Sequence, residues 1–347
     1  MPQIADEEYR ARREAVAAGM DAMHLDAVCV FYPARVTYLT GFHHVPTERP
    51  IALVLGPNAY TALIVPAVEK EHAETIPGID RLDVYFEYPG PEHPMQRLGV
   101  ALAEVSAQPE RVGADHDGFV PYWGYRGPGL SDITGRPPVD AEMLVETLRR
   151  AKSAQEIECI QLSCDWAARA HRRMQDSIVT GKTEMECYAP AAVESLAEMV
   201  REMPGWRPRG FSGNELPAMF VGGRSTAMPH GFVRGHGVQK GDVLVTGAGA
   251  DIDGYHSELE RTMFVGEPTA AQERAFDAML KLQAHAIDTM SPGVPAAEVE
   301  LAVVRLAHEL GVSDEGFRHS DTVLITQEGR RVMTDYPREL KDLIIGT

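Results

Sequence analysis

Short apolar segments alternate with helical ones along the first part of the chain, and this alternation constrains the fold most. "DAVCVF" at residues 26–31, "PIALVLGPN" at 50–58 and "YTALIVP" at 60–66 have the length and apolar content of β-strands. The first 20 residues show helical spacing, and a helix is expected after Pro66. We expect "RVTYLTGF" at 35–42 to form a strand and turn. Together these segments predict an α/β domain that extends to about residue 145.

A long helical block separates this domain from the rest of the chain. Within it, Ser153 precedes Glu156 at the spacing of a capping box, so a helix should begin there. We therefore predict two domains, residues 1–145 and 146–347. The second should contain a helix that ends near residue 203, glycine-punctuated strands such as "DVLVTGAGADIDG", two further helices, and a hairpin that turns near Glu328 and Gly329.

Charge and composition exclude several classes of partner. The formal net charge is −18, so the surfaces of nucleic acids and anionic membranes should repel the protein. No run of 18 apolar residues is present, and the N-terminus lacks the pattern of a secretion signal, which predicts a cytoplasmic protein without a membrane span. The four cysteines form no CxxC pair, so buried free thiols are expected.

The stretch "GYHSELERT" at residues 254–262 places three ionisable side chains within a strand-like segment. Strand alternation puts Glu258 and Glu260 on one face and Arg261 on the other. Such a pattern indicates either the solvated edge of a sheet, with an ion pair that supports the strand, or the acidic wall of a reactive pocket.

Several motifs, in their order and spacing, resemble one family. "YLTGF", "LRRAKSAQEIE", "MPHG…VQKGDVLV…GYHSELERTMFVGEPTAAQ" and "GFRHSDTVLITQEGRRVMTDYPREL" together resemble the pita-bread hydrolases, which include Xaa-Pro dipeptidases, aminopeptidase P, methionine aminopeptidase and creatinase. The resemblance implies an α/β N-terminal domain and an α+β pita-bread C-terminal domain, with two pseudo-symmetric halves around a central pocket. It also implies a homodimer and a small-molecule or dipeptide-like substrate.

The metal ligands of the peptidases in this family are not matched. The resemblance implies two divalent ions, typically manganese, held by two aspartates, a histidine and two glutamates. Here Gly247 stands where the first aspartate is expected, Glu258 replaces the second, and Ser320 stands in place of a glutamate. Hard cations need several anionic oxygens, so the sequence predicts no conventional two-metal site and no assigned cofactor.

A segment of the pita-bread domain is expected to be missing near residues 312–316. In the family a Gly-His-Gly segment and a Glu-Pro follow the helix that corresponds to "LAHELG". Here "VSDE" joins that helix directly to "GFRHSD". The second half of the domain is therefore predicted to be incomplete, and a ligand histidine and a glutamate are missing with it.

In these departures from the metal-binding peptidases, the chain resembles creatinase, the branch of the family that needs no metal. By that resemblance His230 in "MPHG" and Glu260 in "LERT" are the catalytic candidates, and Arg49 is a substrate-binding candidate. We add Glu258, His319 and Ser320 as substrate-binding candidates. A histidine suits the acid/base role because its charge ordinarily changes near neutral pH.

Three functions remain open at this point. The first is a hydrolase that cleaves a C–N bond of a small substrate by metal-independent histidine catalysis. The second is an inactive relative that binds a small molecule or a partner, and the third is a metal-dependent Xaa-Pro dipeptidase. Stoichiometric metal with Xaa-Pro cleavage would favour the third.

Overall fold

The structure is a computed structural model that describes residues 2–86, 92–105, 110–119, 124–206, 218–228, 230–312 and 316–346. The chain divides into two compact units, Gln3–Gln155 and Glu156–Thr347. Each unit has its own sheet.

The N-terminal unit is built from the alternating strands and helices that the sequence predicts. Its elements are α1 (Asp6–Met23), β1 (Ala27–Val30), α2 (Pro33–Thr40), β2 (Ala52–Leu55), β3 (Thr61–Pro66), α3 (Lys70–Ala73), β4 (Arg81–Tyr85), α4 (Gln96–Val105), β5 (Val112–Ala114), α5 (Leu130–Thr134), β6 (Val139–Asp140) and α6 (Glu142–Arg150). The predicted strands at 26–31, 50–58 and 60–66 are confirmed as β1, β2 and β3.

A six-stranded mixed sheet, in the order β4-β3-β2-β1-β5-β6, separates two apolar cores. Alternation along β1 sends Ala27 and Cys29 to one core and Val28 and Val30 to the other. Helices α4 and α5 contribute to the first core, while α1, α2 and α6 contribute to the second. Burial of both sheet faces explains why these strands are continuously apolar.

The strand expected at residues 35–42 is wrong, because this segment forms helix α2. Pro33 occupies the first helical turn, where its missing N–H costs nothing. Gly41 ends the helix with φ 74° and donates its N–H to the Thr37 carbonyl. These start and stop signals outweigh the β-branched side chains of the segment. Val36 and Leu39 then lie one turn apart and face the core.

The C-terminal unit contains longer helices and a smaller sheet. Its elements are α7 (Ala154–Ser177), which begins at the end of the preceding unit, α8 (Glu184–Glu202), β7 (Ala218–Gly222), β8 (Val243–Ala248), β9 (Leu259–Val265), α9 (Ala270–Thr289), α10 (Ala296–Leu310), β10 (Val323–Thr326), β11 (Gly329–Val332) and β12 (Ile344–Ile345). Helix α7 begins directly after Ser153, and β10 and β11 form the predicted hairpin.

The sheet of this unit has the strand order β12-β9-β8-β7. Strands β7, β8 and β9 are antiparallel, and β12 runs parallel to β9. All seven residues of β9 are buried, so both of its faces are covered. This strand carries the whole "LERT" motif, and its register sets the geometry of the candidate site.

The junction where we expect a missing segment falls partly on residues 313–315, which lie outside the described residues. Before it, α10 ends at Leu310, and Gly311 adopts the left-handed conformation of a helix terminator. After it, the chain from residue 316 approaches β9, with Ser320 bridged to Glu260.

The cysteine prediction is confirmed, since all four cysteines are free and buried. No helix among the described residues has the length and apolarity needed to cross a bilayer.

Candidate active site

Three positions lie in a row across the C-terminal sheet. Gly247 on β8 is directly opposite Glu260 on β9, and Ser320 is paired with Glu260 on the other side. The row therefore joins two positions at which the resemblance implies metal ligands, 247 and 320, to the glutamate of "LERT". Only the middle residue of this row has a carboxylate.

The carboxylate of Glu260 is engaged on both oxygens. Oε1 accepts a hydrogen bond from Arg318 Nη1 at 2.8 Å, and Oε2 accepts one from the Ser320 hydroxyl. Glu260 is 8% exposed and the Arg318 side chain is 30% exposed, so water reaches the ion pair from the arginine side. A positive guanidinium thus lies beside the one carboxylate of the row.

Arg261 has a structural role on the same strand. It is fully buried and forms an ion pair with Asp321 at 2.9 Å. Its guanidinium also donates to the carbonyl oxygens of Ser320 at 2.9 Å and Pro337 at 2.7 Å. These bonds fix the segment around residue 320 against β9. One interpretation of the sequence is an ion pair that supports the strand. Arg261 does form such a pair, and the acid is Asp321.

Three predicted substrate-binding residues border a cavity of about 510 Å³: Glu258, His319 and Ser320. Glu258 precedes β9 and is exposed. Apolar side chains of α9 and α10, among them Met279 and Val303, line the opposite side of this cavity. The structure therefore brings three of the six predicted site residues to one cavity.

His319 is unsuited to acid/base work in this conformation. Both ring nitrogens are buried, and neither has a hydrogen-bond partner in the described part of the chain. Burial, and then the nearby charge of Arg261, lowers the pKa of His319 to about 3. The ring packs edge-on against Phe276 with 5.2 Å between centroids. It is a neutral, enclosed imidazole near neutral pH.

His230 lies beside a second, smaller cavity of about 210 Å³. Its neighbours Met228 and Gly231 line this cavity, while His230 itself is exposed. Within the described residues, no hydrogen bond or ion pair joins His230 to Glu260. Arg318 borders both cavities and forms an ion pair with Glu260.

Arg49 belongs to the N-terminal unit. It lies in the loop between α2 and β2 and forms an ion pair with the adjacent Glu48 at 3.1 Å. About a third of its side chain is exposed. Its role at a substrate remains a prediction.

The residues of the site do not fit a pair of divalent ions. Gly247 has no side-chain donor, Ser320 offers a hydroxyl, and the Glu260 carboxylate is paired with a guanidinium. In the part of the chain that the structure describes, no three His, Cys, Asp or Glu side chains form a group that could hold a metal. A divalent cation here would have few anionic oxygens and a neighbouring positive charge.

Arg318 is the residue of the site that our sequence reasoning missed. Its signal was its position two residues before Ser320 in "RHSD", because residues two apart in an extended segment share a face. From the sequence we considered the glutamate that Ser320 replaces and did not consider Arg318.

Comparison with known sequences identifies both units. Residues 12–150 match the creatinase/prolidase N-terminal domain, and residues 158–336 match metallopeptidase family M24. An Xaa-Pro dipeptidase of Pyrococcus furiosus is 31% identical over 180 residues, which cover 51% of this chain and 47% of that protein. An Xaa-Pro dipeptidase of Pyrococcus horikoshii is 27% identical over 307 residues, which cover 87% of this chain and 77% of that protein.

Solved structures agree on the fold. The crystal structure of dipeptidase PepE from Mycobacterium ulcerans covers 99% of this chain with a TM-score of 0.81 and 22% identity, and all of that chain is matched. The predicted fold class, an α/β N-terminal domain followed by a pita-bread domain, is thereby confirmed. The chain belongs to metallopeptidase family M24, a family of hydrolases.

Proposed function

We propose that the chain hydrolyses a C–N bond of a small substrate by metal-independent acid/base catalysis at His230. Relatives named Xaa-Pro dipeptidase support an Xaa-Pro dipeptide as the first substrate to test. The observation that carries the metal-independent chemistry is the row of Gly247, Glu260 and Ser320. It supplies one carboxylate, and Arg318 neutralises that carboxylate.

The reaction requires a group that takes a proton and gives it back. A neutral imidazole at position 230 accepts a proton from the attacking water and delivers it to the leaving nitrogen, so that the products are an acid and an amine. The exposure of His230 beside the smaller cavity leaves its ring accessible to water and substrate.

The sequence suggests that Glu260 is catalytic, whereas in this proposal it orients Arg318. Its carboxylate holds the Arg318 guanidinium at the border of the same cavity. An arginine there is placed to bind a substrate carboxylate through its planar fork. Glu260 therefore orients Arg318, and the tautomer of His230 does not depend on it.

The remaining candidates keep distinct roles. Glu258 and Ser320 stay proposed substrate contacts at the larger cavity. We assign no substrate hydrogen bond to His319, because its nitrogens are enclosed. Arg49 stays a proposed contact to the substrate of a second subunit, in a proposed homodimer.

A substrate panel with matched histidine variants tests the proposal. Xaa-Pro dipeptides are assayed first, then creatine and other guanidino compounds. His230→Ala should lower kcat by about 10²–10⁴-fold, as expected for the loss of a general acid/base. His308→Ala, on the exposed side of α10, should leave turnover unchanged. Equal turnover of wild type and His230→Ala would contradict the assignment.

A further inference from the structure

Glu184 is a fully buried carboxylate in the first turn of α8. The start of this helix is already capped, since Thr183 and Glu186 form a reciprocal capping box. Burial of a carboxylate is costly unless hydrogen bonds replace the lost water. The position of Glu184 therefore needs an explanation other than helix capping.

Four backbone N–H groups donate to this carboxylate. Oε1 accepts from Gly222 at 2.8 Å. Oε2 accepts from three consecutive residues, Arg234 at 3.0 Å, Gly235 at 3.1 Å and His236 at 3.2 Å. Consecutive N–H groups that converge on one oxygen form a concave anion site, here filled by the protein's own side chain.

The two sets of donors bracket one loop. Gly222 ends β7, and Arg234 follows a segment whose described residues are 223–228 and 230–233. We call these described residues the His230 loop because they include that histidine. One carboxylate thus ties both ends of the loop to the start of α8. Hydrogen bonds to this one buried side chain therefore close the 11 positions between the donors.

Other contacts make the His230 loop compact. The N–H of Gly231 bonds the Met228 carbonyl at 3.1 Å, and that of Met228 bonds the Ser225 carbonyl at 3.2 Å. A Cβ at position 231 would lie 2.3 Å from the Ser225 oxygen, so the turn requires glycine there. His236 bonds Asp242 at 2.6 Å and holds the far end of the loop.

We propose that Glu184 is the positioning residue for His230. It closes the His230 loop and so places the imidazole beside the cavity bordered by Met228, Gly231 and Arg318. This inference rests on the role proposed for His230. Only a carboxylate satisfies the four donors, because it accepts on both oxygens. A glutamine has an NH₂ group in place of one oxygen, and this donor would face either the Gly222 N–H or the three N–H groups of residues 234–236.

Hydrogen exchange tests the anchoring without reference to activity. In Glu184→Gln, the amides of Gly222, Arg234, Gly235 and His236 should exchange about tenfold faster, as expected for lost hydrogen bonds to a charged acceptor. The control, Glu186→Gln, lies on the same turn and keeps the capping chemistry, so these amides should be unchanged. Glu184→Asp keeps both acceptor oxygens and should give an intermediate rate, which preserves the test if the glutamine variant unfolds.

Kinetics separate a positioning role from a structural one. Glu184→Gln should lower kcat and leave KM within about twofold. In the His230→Ala background the same substitution should cause no further loss, because the residue that it positions is gone. Multiplicative losses, unchanged exchange, or faster exchange spread evenly over the C-terminal unit would each overturn the proposal. If wild type turns over no substrate, the proposed function fails, and exchange alone decides whether Glu184 anchors the loop.

Discussion

Removal of the Arg261 guanidinium should destabilise the candidate site, because this group holds the segment around Ser320 against β9. Arg261→Met keeps the apolar stem and removes the charge that pairs with Asp321 at 2.9 Å. Asp321 is almost completely buried and would lose a partner inside the unit. The Pro337 carbonyl oxygen would also lose this donor, and the Ser320 carbonyl oxygen would keep the Glu260 N–H at 3.1 Å.

The magnitude follows from burial. The loss of one partner from a buried ion pair costs about 3–5 kcal/mol of the free energy of unfolding. Asp321 keeps Arg338 at 3.0 Å, a partner that is one-third exposed, so we expect the lower end, about 3 kcal/mol. Arg330 and Asp288 form an exposed pair in the same unit, for which Arg330→Met should cost about 0–1 kcal/mol.

Urea unfolding, followed by the fluorescence of Trp166 and Trp206 in the C-terminal unit, measures both variants. We expect Arg261→Met to lose at least about 2 kcal/mol more of the free energy of unfolding than Arg330→Met. A loss in Arg261→Met no larger than that of the exposed control would refute the view that this guanidinium fixes the segment around Ser320 against β9.

Two further predictions concern protons and charge. Burial lowers the pKa of His171 to about 3 and that of His319 to about 3, so between pH 6.5 and 3 the unfolded chain binds protons that the folded chain does not. The free energy of unfolding should therefore fall below pH 6.5, by up to about 1.4 kcal/mol per pH unit for each histidine, and His171→Gln should flatten this dependence in urea titrations. Arg318→Met should lower kcat/KM by about a hundredfold for substrates with a carboxylate, and much less for their amides.

Local patterns along the sequence predict much of this fold. Apolar runs predict β1, β2 and β3 because their side chains face two cores, and the glycine near Glu328 predicts the hairpin of β10 and β11. The prediction fails at α2, where branched side chains favour a strand but Pro33 and Gly41 set the boundaries of a helix. The terminal signals decide there, and Val36 and Leu39 of the resulting helix both pack into the core.

Local sequence patterns predict less of the candidate site than of the fold. Motifs identify Gly247, Glu260 and Ser320 individually, but only the strand register shows that they form one row. The acceptor role of Glu184 depends on backbone groups 38–52 positions away, which no local pattern encodes. Likewise, the sequence places Glu258 with Glu260, whereas β9 begins at Leu259 and leaves Glu258 exposed.

Hydrolysis without a metal can be measured as turnover of Xaa-Pro dipeptides before chelation, after chelation and after addition of Mn²⁺. The metal content is measured on the same samples. We expect the chelated protein to retain its full turnover, Mn²⁺ to add none, and less than one metal ion to bind per chain. Activity that disappears on chelation and returns with stoichiometric Mn²⁺ would contradict it.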